Sequence, residues 1–168
     1  QWTIAAPGIP GTPTATPSNG GATITIVAPS SGGTPSSYTV TASPGGATCT
    51  VTSPGTSCII SSLTNGTAYT FTSTATNSAG SSTSSSSASS AVTPASVPSE
   101  PISVSGSGTG GSVVVDWNTP SSDGGSAITD YIVEYSVNGS NSWSTFADSV
   151  STALSATVTG LIAGNSYI

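Results

Sequence analysis

The feature that most constrains this chain is a period-two alternation of apolar residues with Thr and Ser, interrupted every few residues by turn-forming tetrapeptides. ATITIVAP puts Ala22, Ile24 and Ile26 on one face of an extended segment. SYTVTA does the same with Tyr38, Val40 and Ala42, and YTFTSTA with Tyr69, Phe71 and Ala75. Thr and Ser on the opposite face tolerate a pleated backbone and keep it wet without charge. SNGG, SPGG, SPGT and TNGT separate the runs and favour tight reversals. No stretch carries a helical period, so the pattern predicts an all-β chain of half-buried antiparallel strands. SSTSSSSASS, from Ser81 to Ser90, lacks the alternation and has the composition of a low-complexity linker.

The same order of segments occurs twice. IPGTPTAT from Ile9 matches VPSEPISV from Val97; ATITIVAP matches SVVVDWNTP; SSYTVTA matches TDYIVEYS; LTNGTAYT from Leu63 matches LIAGNSYI from Leu161. The offset grows from 88 residues (Ile9 to Val97) to 98 (Tyr69 to Tyr167), as expected when loops lengthen while strands keep their order. At 168 residues the chain has room for two units of ordinary domain size.

Charge excludes several classes of partner. There is no Lys, Arg or His, and the six carboxylates Glu100, Asp116, Asp123, Asp130, Glu134 and Asp148 all follow residue 99. Without a cation to displace counterions from phosphates, binding to nucleic acid or anionic lipid has no electrostatic driving force. Every apolar run is short, so no membrane insertion is expected. No charged segment followed by an apolar stretch opens the sequence, which is read as an internal portion of a longer chain or as one whose leader was removed.

Both halves resemble fibronectin type III modules, of the Thr/Ser-rich kind found in bacterial extracellular proteins. The residues that carry the resemblance are the opening prolines (Pro10 and Pro13; Pro98 and Pro101), the strand-B core position (Ile26; Trp117), the SSDGGS loop, and the corners Leu63-Gly66-Tyr69 and Leu161-Gly164-Tyr167. The resemblance implies tandem immunoglobulin-like β-sandwiches at 9–95 and 96–168, with 1–8, including Trp2, as the end of a preceding module or a docking segment. It also implies a corner Tyr whose hydroxyl bonds to nearby backbone. Tyr167 falls at the start of strand F, so the second sandwich is expected to lack strands F and G within this sequence, the parent chain continuing beyond it. The short, proline-containing linker AVTPASVPSEP predicts modules standing end to end.

Two departures predict a lighter core in the first module: Ile26 stands where the family usually has Trp, and Ser73 where an apolar residue is expected. Cys49 and Cys58 flank the Pro-Gly turn in CTVTSPGTSC. A bond between them would tie adjacent strands into a hairpin and contribute roughly 2–3 kcal/mol in the chain-entropy view. The alternative is a pair of buried free thiols. Zinc would be under-coordinated by two thiolates alone. A disulfide implies an oxidising compartment and hence an extracellular location.

Catalytic chemistry finds little support, and no enzyme activity or cofactor is expected. No His serves as a base, no Lys forms a Schiff base, and the many serines lack an activating partner. Asp116, beside Trp117 in an alternating strand, is expected to face solvent, as are Asp130 and Glu134, which disfavours paired-carboxylate hydrolysis. Glu100 and Asp123 have no calcium-loop spacing. The triplets Asn65-Gly66-Thr67 and Asn138-Gly139-Ser140 match a glycosylation acceptor, yet Asn-Gly is also wanted in turns for backbone reasons.

Trp143 and Phe146, in NGSNSWSTFADS, are candidate glycan contacts that would stack on a neutral sugar; alternatively they cover the open side of the sandwich near strand C′. The functional expectation is a non-enzymatic structural or adhesive segment of a longer surface protein, filament or virion appendage. Its partners would be other domains of the same chain, copies of itself, or neutral glycans. A spacer in a secreted polysaccharide-degrading enzyme and a glycan-binding module are the alternatives.

Overall fold

In the computed structural model, which describes residues 3–168, the alternating runs are strands and no helix occurs among the described residues. The chain divides into two units, Gln1–Ser96 and Val97–Ile168. The first contains β1 (Gly11–Ser18), β2 (Gly21–Val27), β3 (Ser37–Ser43), β4 (Thr48–Thr52), β5 (Ser57–Ser61), β6 (Thr70–Asn77) and β7 (Gly80–Ser81). These form two antiparallel sheets, β1-β2-β5 and β4-β3-β6-β7.

The inward faces are those the alternation marked. Ala22, Ile24 and Ile26 of β2 pack with Tyr38, Val40 and Ala42 of β3, with Phe71 and Ala75 of β6, and with Ile60, Leu63 and Tyr69. Phe71, Ile24, Ile60 and Val40 are fully buried, and each such side chain contributes about 1.5–3 kcal/mol relative to its exposed state.

The second unit contains β8 (Ile102–Thr109), β9 (Ser112–Asn118), β10 (Glu134–Tyr135), β11 (Ser144–Thr145) and β12 (Ser155–Val158). β12-β9-β8 form one sheet and β10-β11 a short second one. The repeat extends to pairing details. β1 shifts register between Gly11 and Thr14, and β8 between Ile102 and Ser105. Ser136, which follows β10, and Ile168 exchange both backbone hydrogen bonds at 2.9 Å. Ser43 is opposite Thr70 at the equivalent place in the first unit.

Three expectations are corrected. The Cys49 and Cys58 strands do not form a hairpin: β4 pairs with β3, and β5 crosses to pair with β2 in the other sheet. The first core is the larger one, with eleven buried apolar residues against Trp117, Val133 and Val158 in the second. Ile26 is embedded among neighbours from both sheets, in a cluster that draws on β2, β3, β5 and β6.

Finally, Ala5–Gly8 belong to the first unit. Gly8 N–H donates to Ser31 O at 2.9 Å, Gly33 N–H to Ala6 O at 3.0 Å, and Asn77 Nδ2 to Ala5 O at 2.8 Å. A side chain at Gly33 would collide with the Ala5 carbonyl, so glycine is required for this close approach. Trp2 lies outside the described residues.

Candidate functional site

The first unit is closed along one side by covalent chemistry. Cys49 and Cys58 are bonded, with their Cα atoms 6.1 Å apart. Cys49 stands opposite Val40 and Cys58 opposite Ile24, so the bridge joins β4 and β5, the edge strands of the two facing sheets. It restrains the separation of the two sheets at these edge strands.

The corners pin the loop that enters β6 and its counterpart. Thr64 N–H donates to Tyr69 Oη at 3.1 Å, and Ile162 N–H to Tyr167 Oη at 3.0 Å, both across five residues. Gly66 and Gly164 take φ values of 80° and 91°, which the turn requires and a side chain disfavours. Leu63 is buried, and its N–H donates to Gly20 O at 2.8 Å; Leu161 N–H reaches Gly111 O at 2.9 Å. Only in the first unit does an Asn add to this. Asn65 Oδ1 accepts from Gly20 N–H at 2.8 Å, and its Nδ2 donates to Asn19 Oδ1 at 2.9 Å. The side chain of the first glycosylation-type triplet is therefore a fastening between two turns.

The serine run holds the opposite side. Ser82, Ser86 and Ser89 donate their backbone N–H groups to the carbonyls of Ala75, Ser73 and Phe71 at 2.8, 2.8 and 2.9 Å. In return the N–H groups of those same β6 residues donate to the Ser82, Ser86 and Ser89 Oγ atoms at 3.3, 2.9 and 3.0 Å. A hydroxyl takes the place that a main-chain carbonyl has in an ordinary ladder. The residues between the rungs bulge outward and are exposed. Ser73, expected to be a weak point, is buried with its Oγ 3.3 Å from Ser86 Oγ, so its polar group is satisfied within the ladder. The linker-like composition of 81–90 concealed this edge; the spacing of Ser82, Ser86 and Ser89 against every second β6 residue is visible only once the strands are paired.

The candidate sugar contacts separate. Phe146 packs beside the Trp117, Val133 and Val158 cluster, and its N–H donates to Val133 O at 2.8 Å. Trp143 is 55% exposed. Phe146 is half-buried against that cluster while Trp143 is exposed, so Trp143 is the more accessible of the two for a sugar ring. Trp117 and Tyr131 rings lie 5.5 Å apart. A cavity of about 210 Å³ opens nearby, lined by Val104, Val113, Val115, Val133, Val158 and Tyr167.

All six carboxylates are exposed. Asp123 Oδ1 accepts from Gly125 N–H at 2.9 Å, and Asp130 Oδ1 from Ser151 N–H at 3.0 Å, both as loop ties. Among the described residues no three of His, Cys, Asp or Glu meet in a metal-binding group, and no helix is long and apolar enough to cross a membrane. Among the described residues the arrangement offers fastened edges, hydroxyl-covered faces and the exposed Trp143, and no nucleophile paired with a base.

Comparison with known proteins agrees with this architecture. The fibronectin type III domain family matches residues 9–91 and 96–168. The chain belongs to that family, whose modules are typically non-catalytic structural or adhesive parts of longer proteins. A crystal structure of domains from titin superposes with a TM-score of 0.54 at 23% identity, over 98% of this chain and 58% of that one. The FN1-FN3 domains of chicken CNTN1 give a TM-score of 0.49 at 20% identity, over 97% and 55% of the respective chains. The chain therefore spans little more than half the length of the titin fragment it resembles.

Proposed function

We propose that this chain is a non-enzymatic structural or adhesive segment of a longer protein that works outside the cell, in a surface protein, filament or virion appendage. The observation that carries the reading is the Cys49–Cys58 bridge between the edge strands of the two sheets. Such a bond persists in oxidising surroundings. The absence of Lys and Arg supports the same reading, since trypsin-like proteases find no cleavage site in the chain. The Thr/Ser-rich composition supports the bacterial extracellular kind of module. An uncharged first unit lacks the self-repulsion that keeps proteins apart, which favours copies of itself and neutral glycans as partners.

The test is to recover the protein from its native source under conditions that block thiols, measure its intact mass, and label intact cells or particles with an antibody against the first unit. A bonded pair with surface labelling is expected. Two alkylated cysteines, or labelling only after permeabilisation, would overturn the reading.

The exposure of Trp143 favours a second reading in which this unit binds a neutral glycan. Glycan-array binding that Trp143→Ala abolishes and Phe146→Leu retains is the expected result; an array without signal removes this reading and leaves the structural one standing.

A further inference from the structure

The chain contains three Asn-Gly pairs, Asn19-Gly20, Asn65-Gly66 and Asn138-Gly139. In such a pair the glycine nitrogen can attack the carbonyl carbon of the preceding side chain, because no Cβ obstructs the approach and the backbone rotates freely. The reaction requires a glycine N–H not held by an acceptor and an Asn side chain free to turn.

The two pairs in the first unit meet neither condition. Gly20 N–H is held by Asn65 Oδ1 at 2.8 Å, and Gly66 N–H by Pro94 O at 2.9 Å. The Asn65 and Asn19 side chains hold each other through the 2.9 Å bond from Nδ2 to Oδ1. Each pair immobilises the other.

The third pair stands open. Asn138 and Gly139 are exposed at the tip of a turn closed by Ser140 N–H to Val137 O at 2.8 Å. Gly139 has φ 85°, and the space where a Cβ would sit contains no atom within 4 Å. Asn138 is anchored by its backbone N–H, which donates to Ser166 O at 2.8 Å, but among the described residues no hydrogen bond engages its side chain or the Gly139 N–H.

We propose that Asn138 is a spontaneous modification site, at which a succinimide forms with Gly139 and opens to aspartate or isoaspartate. Hydroxide removes the Gly139 amide proton; the nitrogen then bonds to Asn138 Cγ, and the bond from Cγ to Nδ2 breaks. The nitrogen leaves as ammonia after taking up a proton from water. A water molecule then opens the ring at one of its two carbonyls. The sum is asparagine plus water giving a carboxylic acid plus ammonia, with no enzyme, oxidant or metal. The product adds a carboxylate to the unit that already holds all six, while the first unit stays without one. Isoaspartate also inserts a methylene into the main chain two residues from the Ser136 and Ile168 pair. The turn thereby records how long the protein has been in solution.

The test is to incubate the purified chain in mildly alkaline buffer at body temperature and follow peptides covering the three pairs by chymotryptic mapping, with fragmentation that separates aspartate from isoaspartate. In the folded chain Asn138 should convert about tenfold or more faster than Asn19 or Asn65, because the held pairs react only from locally opened molecules. In denaturant the three should converge. Asn65→Ala should accelerate conversion at Asn19, and Gly139→Ala should suppress it at Asn138. Equal rates at the three sites in the folded chain, or an unreactive Asn138 in a chain whose denatured form reacts, would overturn the proposal.

Discussion

Ser86 accepts a hydrogen bond from the buried Ser73 N–H at 2.9 Å through its side-chain oxygen, while its own N–H donates to Ser73 O at 2.8 Å. This closed pair is the middle rung of the edge that replaces a regular last strand in the first unit. Ser86→Ala keeps the backbone bond and removes the acceptor. Ser73 N–H and Oγ then remain buried without it, a loss of about 1–3 kcal/mol. Denaturant unfolding of the first unit should show the lower midpoint. An unchanged midpoint would mean that the hydroxyl ladder contributes nothing.

Reducing the Cys49–Cys58 bridge, or replacing both residues by Ala, should destabilise the first unit by about 2–3 kcal/mol. Calorimetry with and without reductant separates this from the second unit, which has no cysteine and should melt unchanged. A shift in both transitions would show that the bridge does more than restrain the β4 and β5 edges.

Tyr69→Phe deprives the Thr64 N–H of its acceptor in a partly buried corner, whereas Tyr167→Phe frees an Ile162 N–H that is exposed. Water replaces the lost partner in the second case more readily than in the first. The first substitution should therefore cost about 1–2 kcal/mol and the second less. The ratio of the two losses, measured by chemical unfolding, checks the argument; a larger loss at Tyr167 would contradict it.

Stability of the first unit should be nearly flat between mildly acidic and neutral pH and between low and moderate salt. It has no carboxylate side chain, Lys, Arg or His whose protonation differs between folded and unfolded chains. The unfolding midpoint of residues 3–96 as part of the whole chain is the measurement. A clear slope in either variable would point to a charge interaction reaching this unit from elsewhere.

Alternation was enough to identify the strands and their buried faces: Ile24, Val40 and Phe71 are inward because apolar residues recur at the period of a pleated backbone. Spacing was enough to place the corners, since Leu-x-x-Gly-x-x-Tyr combines a buried anchor, a left-handed turn and a phenol within reach of the preceding backbone. These are local relations, and residues close in sequence carry them. Partnership between distant segments is another matter. A period of two says which face of β5 is buried but not that β5 leaves β4 to join β2, so the cysteines looked like a hairpin staple although they bridge two sheets. A serine hydroxyl serves equally as solvated linker or as hydrogen-bond acceptor. Which it becomes in Ser86 and Ser89 depends on backbone N–H groups 13 and 18 residues away, brought alongside only when β6 is packed against β3. The same holds for Asn65 and Asn138, identical dipeptides with glycine in sequence, of which one is locked by a turn 45 residues distant and the other is left open to water.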